Sequence, residues 1–141
     1  FGGITSEDKE AGFIYVLKSK SENPNIKNIE NLYKIGYSKN PVEQRIYNAE
    51  NQATYLMAPV EIITSWKCFN MNPQKFENLI HNFFSSVCLD VEIMDNDNKV
   101  NKPREWFIVP LQVIEQVVDL IISGQINSYY YDKVNQMIVR L

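Results

Sequence analysis

Apolar residues in this chain fall into short blocks, and the spacing within blocks alternates between sheet and helix periods. Residues 1–11 are polar and read as a loose arm. Residues 13–17 are apolar and β-type, a first strand, and residues 32–37 form a second. The intervening 19–31 stretch is rich in Ser, Asn, Lys and Glu, so the two strands are expected to pair antiparallel around a long loop. Asn40-Pro41 predicts a helix start, with Asn as N-cap, and Val42, Ile46 and Ala49 recur at helical spacing up to about Asn51. Residues 59–69 alternate, a third strand. Asn72-Pro73 repeats the helix-start signal, followed by Phe76, Leu79, Ile80 and Phe83 on one face. Residues 89–94 and 106–109 predict strands flanking the polar stretch 95–104. Residues 111–123 form the clearest amphipathic pattern, stopped by Gly124. The 126–141 tail alternates loosely and suggests an extra strand pair.

This order of elements predicts an α+β domain, a small, mainly antiparallel β-sheet flanked by helices. The expected organisation is an N-terminal arm at 1–11, one domain at 12–125 and a C-terminal extension at 126–141. With 141 residues, 45% of them hydrophobic, the chain holds enough for one core and too little for two. No apolar run reaches membrane-spanning length, and no basic-then-apolar leader opens the chain, which predicts a cytoplasmic protein. A first residue of Phe instead of Met suggests a piece of a longer polypeptide. Cys68 and Cys88 lie in apolar segments and read as packed small hydrophobes. One His and two scattered Cys do not give the usual zinc-ligand spacing. The net charge of −3 lacks the basic footprint common in nucleic-acid binders, so phosphate contact would rest on a local patch.

Alternation puts Lys34 and Gly36 on one face of the second strand, and Tyr15 on one face of the first with Phe13 and Leu17. If these faces adjoin, a phenol and an amine flank a stretch of backbone left open by Gly36. The plainer alternative is a packed Tyr and a snorkelling Lys. Arg45 borders the buried stripe of its helix, where it either grips a phosphate or is simply solvated. Glu77 sits at the rim of an apolar helical face with His81 at i+4. A lone carboxylate with water and phosphate is a common Mg²⁺ site, and an ordinary Glu–His pair is the alternative. Asp95-Asn96-Asp97-Asn98 lacks the Gly and Glu of an EF-hand and reads as a turn.

The ordered set Gly12-Phe13-Ile14-Tyr15, Lys34-Ile35-Gly36, Arg45 and Glu77 resembles the GIY-YIG nuclease superfamily. Tyr33 to Gly36 and Glu105-Trp106-Phe107 bring it nearest the phage T5 Orf172-type branch, over roughly residues 12–110. The resemblance implies a GIY-YIG-like sheet and a DNA endonuclease that uses Mg²⁺ or Mn²⁺. Tyr15 matches the tyrosine that helps activate the attacking water. Gly36 matches the glycine that lets substrate or metal water approach the sheet. Arg45 matches the arginine on the scissile phosphate, and Glu77 the single metal-binding carboxylate. Lys34 stands where the commoner motif has its second Tyr, as in some restriction-type members. It serves there as a base or as a phosphate-holding cation, and His81 is a further candidate for substrate contact. The family's late Asn has no secure match; Asn82, Asn98 and Asn101 are the neighbours in sequence. The alternatives are a DNA-binding module without efficient catalysis, and a protein-interaction domain presenting Tyr129, Tyr130 and Tyr131.

Overall fold

The computed structural model describes residues 11–141, so the expected arm lies, but for Ala11, outside the described residues. The main sheet is antiparallel and four-stranded. It comprises β1 (Ala11–Ser19), β2 (Leu32–Ser38), β3 (Val60–Phe69) and β6 (Trp106–Ile108), in the order β3-β1-β2-β6. β1 and β2 pair as the alternation predicts, with Tyr15 opposite Gly36 and Leu17 opposite Lys34. β3 runs along the other side of β1, with a bulge near Val16 and Leu17. The 19–31 loop holds a short helix, α1 (Pro24–Lys27), capped by the Asn23 side chain.

The two sheet faces carry different layers. On one, Ile14, Val16 and Ile35 pack against α3 (Pro73–Phe83) and α4 (Leu111–Ile122). On the other, Tyr15 and Leu17 pack against Val42 of α2 (Val42–Ile46), Ala49 and Tyr55. A third cluster joins Leu32, Leu56, Leu89 and the fully buried Trp106. The result is α+β, as the pattern predicts.

Asn72 caps α3 by accepting from the Lys75 N–H, with Pro73 in the first turn. The identical dipeptide Asn40-Pro41 behaves differently. Pro41 is the cap position, in an extended conformation (φ −51°, ψ 140°), and no side chain caps the helix. The predicted helix to Asn51 is therefore shorter, ending at Ile46, and a separate 3-10 turn at Ala49–Asn51 follows.

Residues 89–94 are strand only at β4 (Ile93–Met94), which pairs with β5 (Val100–Asn101) inside the polar stretch. The Asp95 carboxylate accepts from the N–H groups of Asp97 and Lys99, which makes this segment a hairpin turn. The tail forms a strand pair, β7 (Tyr129–Asp132) and β8 (Met137–Arg140). Of its three tyrosines, Tyr131 is buried in the main core and Tyr130 is exposed. Cys68 and Cys88 are free thiols.

Candidate active site

Strand register sets the floor of the site. Tyr15 and Gly36 are directly opposite, and the Tyr15 ring lies over the glycine. A Cβ at position 36 would come 2.4 Å from the Tyr15 hydroxyl oxygen and 2.5 Å from Cζ. The expectation of open backbone at Gly36 is thus corrected: the group that approaches closely is Tyr15. The other face repeats the device, since a Cβ at Gly12 would meet the Tyr37 hydroxyl. Glycine at both positions makes room for a cross-strand tyrosine.

Lys34 is fully buried. Its Nζ lies 2.5 Å from Glu105 Oε2, 5.5 Å from the Tyr15 ring centroid and 5.3 Å from that of Tyr55. An ion pair and two aromatic faces give the ammonium what water would otherwise supply. It does not snorkel to solvent.

The Glu105-Trp106-Phe107 segment divides its work by alternation. Trp106, opposite Lys34 in register, donates its indole N–H to the Thr54 carbonyl at 2.9 Å. That bond holds the 53–55 turn against the sheet and sets Tyr55 beside Lys34. Phe107 points to the other face, into the main core. Glu105 accepts from the Ile35 backbone N–H through its carbonyl and from Lys34 through its carboxylate.

Arg45 projects from α2 and is exposed, close enough to the Tyr15 phenol to lower its pKa. The Tyr55 hydroxyl donates to the Arg45 carbonyl at 3.2 Å. Burial, and next the Glu105 charge, push the Tyr15 phenol above its ordinary pKa, although Arg45 and Tyr55 pull it back. Burial and the neighbouring Tyr15 push Tyr55 up to about 12. Burial pulls the Arg45 guanidinium down, but the neighbouring Tyr15, Tyr55 and Glu105 groups outweigh it, so its pKa is raised.

Glu77 follows the buried Phe76 on α3 and lines a cavity of about 190 Å³ with Ile35, His81, Arg104 and Glu105. Burial, and next the Glu105 charge, raise its carboxyl pKa; Lys34 and Arg45 oppose the shift. Among the described residues the ion pairs are Lys34–Glu105 and Lys102–Asp90, so Glu77 makes none with His81. No group of three His, Cys, Asp or Glu side chains able to hold a metal occurs among the described residues. Among the described residues, then, Glu77 belongs to no closed protein cage. A half-buried carboxylate whose charge is disfavoured by a second carboxylate does suit a hard divalent cation that keeps waters and takes a phosphate oxygen.

Tyr15, Lys34, Arg45 and Tyr55 thus gather around Glu105, and Glu105 also lines the cavity on the α3 side that holds Glu77 and His81. Sequence reasoning missed Tyr55 and the role of Glu105. The only signal for Tyr55 was an aromatic at the start of the short apolar run Tyr55-Leu56-Met57-Ala58. Glu105 was visible as part of a motif but not as the partner of Lys34. None of the Asn candidates joins them. Asn101 bonds Asp95 in the β4–β5 hairpin, Asn98 takes a positive φ at its turn, and Asn82 lines a cavity with Tyr129 and Tyr130. A larger groove, about 680 Å³, lies at the loop end of the β1–β2 pair beside Lys18, Lys20 and Lys27; of the motif residues it holds only Tyr33.

The sequence model of the T5orf172 domain matches residues 12–122. Over 119 residues the chain is 50% identical to a protein of Bacillus subtilis (strain 168) called uncharacterized protein YeeC. That alignment covers 84% of this chain and 31% of the relative, so the chain spans about a third of the relative's length. No solved structure matches the chain.

Proposed function

The chain belongs to the T5orf172 domain family, and from that premise we propose that it is a metal-dependent endonuclease domain hydrolysing DNA phosphodiester bonds. What supports this reading is that Tyr15, Lys34 and Arg45, from β1, β2 and α2, gather around Glu105, which also lines the cavity holding Glu77 of α3. Two cations and two carboxylates, counting Glu105, leave that group formally neutral. A phosphodiester and a divalent cation entering together then add a net charge of only about +1, less than the cation alone would bring.

Arg45 is the phosphate grip. Arg45 is exposed beside Tyr15, so its planar fork of donors is open to a phosphate. Tyr15 and Tyr55 have raised pKa values, so both stay protonated at neutral pH. They orient a water by hydrogen bonding and do not act as phenolate bases. Lys34, held between two rings and Glu105, is a fixed positive element behind that water. Mg²⁺ or Mn²⁺ at Glu77 would offset charge on the phosphate and the leaving oxygen. His81 and Arg104 border the same cavity and are candidates for substrate contact. We take the domain to act within a longer cytoplasmic polypeptide, whose other parts would choose the cutting site.

The test is plasmid nicking with Mn²⁺ by wild type, Glu77→Ala and Tyr15→Phe. Loss of nicking in both variants, with circular dichroism and melting unchanged, supports the reading, and robust cleavage by Glu77→Ala sinks it. One observation favours a second reading, a DNA-binding module without efficient catalysis: Lys34 is wholly buried and already taken by Glu105. That reading expects salt-dependent DNA binding and no metal-stimulated product.

A further inference from the structure

β3 is an edge strand of the main sheet, and its outer end carries a cluster that the core does not use. Register places Ser65 opposite Tyr15 and Lys67 opposite Phe13. Alternation then puts Ser65, Lys67 and Phe69 on the Tyr15 face, while Thr64, Trp66 and Cys68 point to the main core. Ser65 and Lys67 are exposed, and the Phe69 side chain is 56% exposed. Lys67 Nζ stands 5.8 Å from the Phe69 ring centroid. A Phe packed for stability would be expected on the inward row, beside Trp66. This one lies on the outward row with a cation beside it.

Two strand residues and one inter-strand step separate Tyr15 from Lys67, on the order of 8 Å between Cα atoms. A nucleic-acid strand whose phosphate sits on Arg45, beside Tyr15, therefore has its neighbouring nucleotide within reach of Lys67. A basic side chain next to an exposed ring is the pairing that single-stranded nucleic acid uses, charge for the backbone and a π face for the base. Bases inside a duplex cannot offer that face.

We infer that Ser65, Lys67 and Phe69 form an outlying subsite for one nucleotide of the substrate strand, with its phosphate on Lys67 and its unstacked base on Phe69. The subsite rests on the endonuclease reading, and it makes DNA with an unpaired nucleotide beside the scissile bond the preferred substrate class.

The test is fluorescence anisotropy in EDTA, using the full chain with a paired duplex and with the same duplex carrying one unpaired nucleotide, across a salt series. Wild type should prefer the second DNA. Phe69→Leu, which keeps apolar bulk without a π face, should lose that preference, a fall of roughly 5- to 100-fold. Phe69→Tyr should retain it. Lys67→Gln should weaken binding to both DNAs and lower the slope of log affinity against log salt by about 0.7–0.9, one phosphate contact. If wild type binds and nicks DNA but Phe69→Leu and Lys67→Gln match it, the subsite is wrong and the endonuclease reading stands. If wild type binds neither DNA at any salt, both fall. A change of self-association in Phe69→Leu, with DNA binding unaltered, would make the patch a protein contact and overturn the inference.

Discussion

Gly36 and Tyr15 occupy one space, and that space admits no methyl group. A Cβ at 36 overlaps the phenol end of Tyr15, and the ring, only 1% exposed, has no open space to swing into. Gly36→Ala should therefore cost about 1–3 kcal/mol, the usual penalty of overpacking, and should displace the Tyr15 hydroxyl. Urea unfolding reads the first effect and nicking the second; an unchanged midpoint would show that the ring relaxes freely. The Lys34–Glu105 pair makes a different demand. Removing Glu105 strands a fully buried ammonium, whereas removing Lys34 leaves a carboxylate that is 34% exposed and can take water. Glu105→Gln should then cost about 1–3 kcal/mol, less than a fully buried pair because solvent reaches one partner. Lys34→Met should cost less, and the double variant should be more stable than the sum of the two predicts. Simple additivity in that cycle would mean the pair contributes nothing specific.

At the level of elements, the two Asn-Pro dipeptides show what the chain reveals locally and what it does not. Asn72 is extended and its side chain accepts from Lys75, so Asn72→Ala should remove about 1 kcal/mol from α3. Asn40 precedes a cap position that Pro41 itself occupies, so Asn40→Ala should stay within about 0.5 kcal/mol of wild type. Thermal melts of both variants decide this, and equal losses would contradict it. The strands, α3 and α4 were legible because a period of two or 3.6 repeats several times within each. α2 was overextended because Val42, Ile46 and Ala49 keep helical spacing while the backbone turns between Ile46 and Ala49. The site followed the same division. Tyr15, Lys34 and Gly36 could be assigned to strand faces from alternation alone. Their contacts with Glu105 and Tyr55 depend on the Trp106–Thr54 hydrogen bond, a link between segments 52 residues apart that no local period encodes.

Over the whole molecule, the charges gathered from four elements set how Glu77 responds to pH. Its carboxyl lies above the ordinary value of 4.5, raised by burial first and the Glu105 charge second. For a group raised on folding, the stabilising contribution is present below the unfolded pKa and lost as pH rises through the folded one. Glu77→Gln without metal should therefore melt at or above the wild-type temperature at neutral pH. A bound divalent cation reverses the balance, because it needs the carboxylate and stabilises only the folded state. At a hundredfold excess over Kd that gain is about 2.7 kcal/mol. The difference in Tm with and without Mn²⁺ should thus be absent in acid and grow as pH rises through the raised Glu77 value. In Glu105→Gln the growth should begin at lower pH, since one of the raising charges is gone. In Glu77→Gln it should vanish at every pH. A Mn²⁺-dependent shift that survives in Glu77→Gln would move the metal elsewhere. A shift lost in Glu77→Gln but insensitive to Glu105→Gln would leave Glu77 as ligand and remove Glu105 from its electrostatic control.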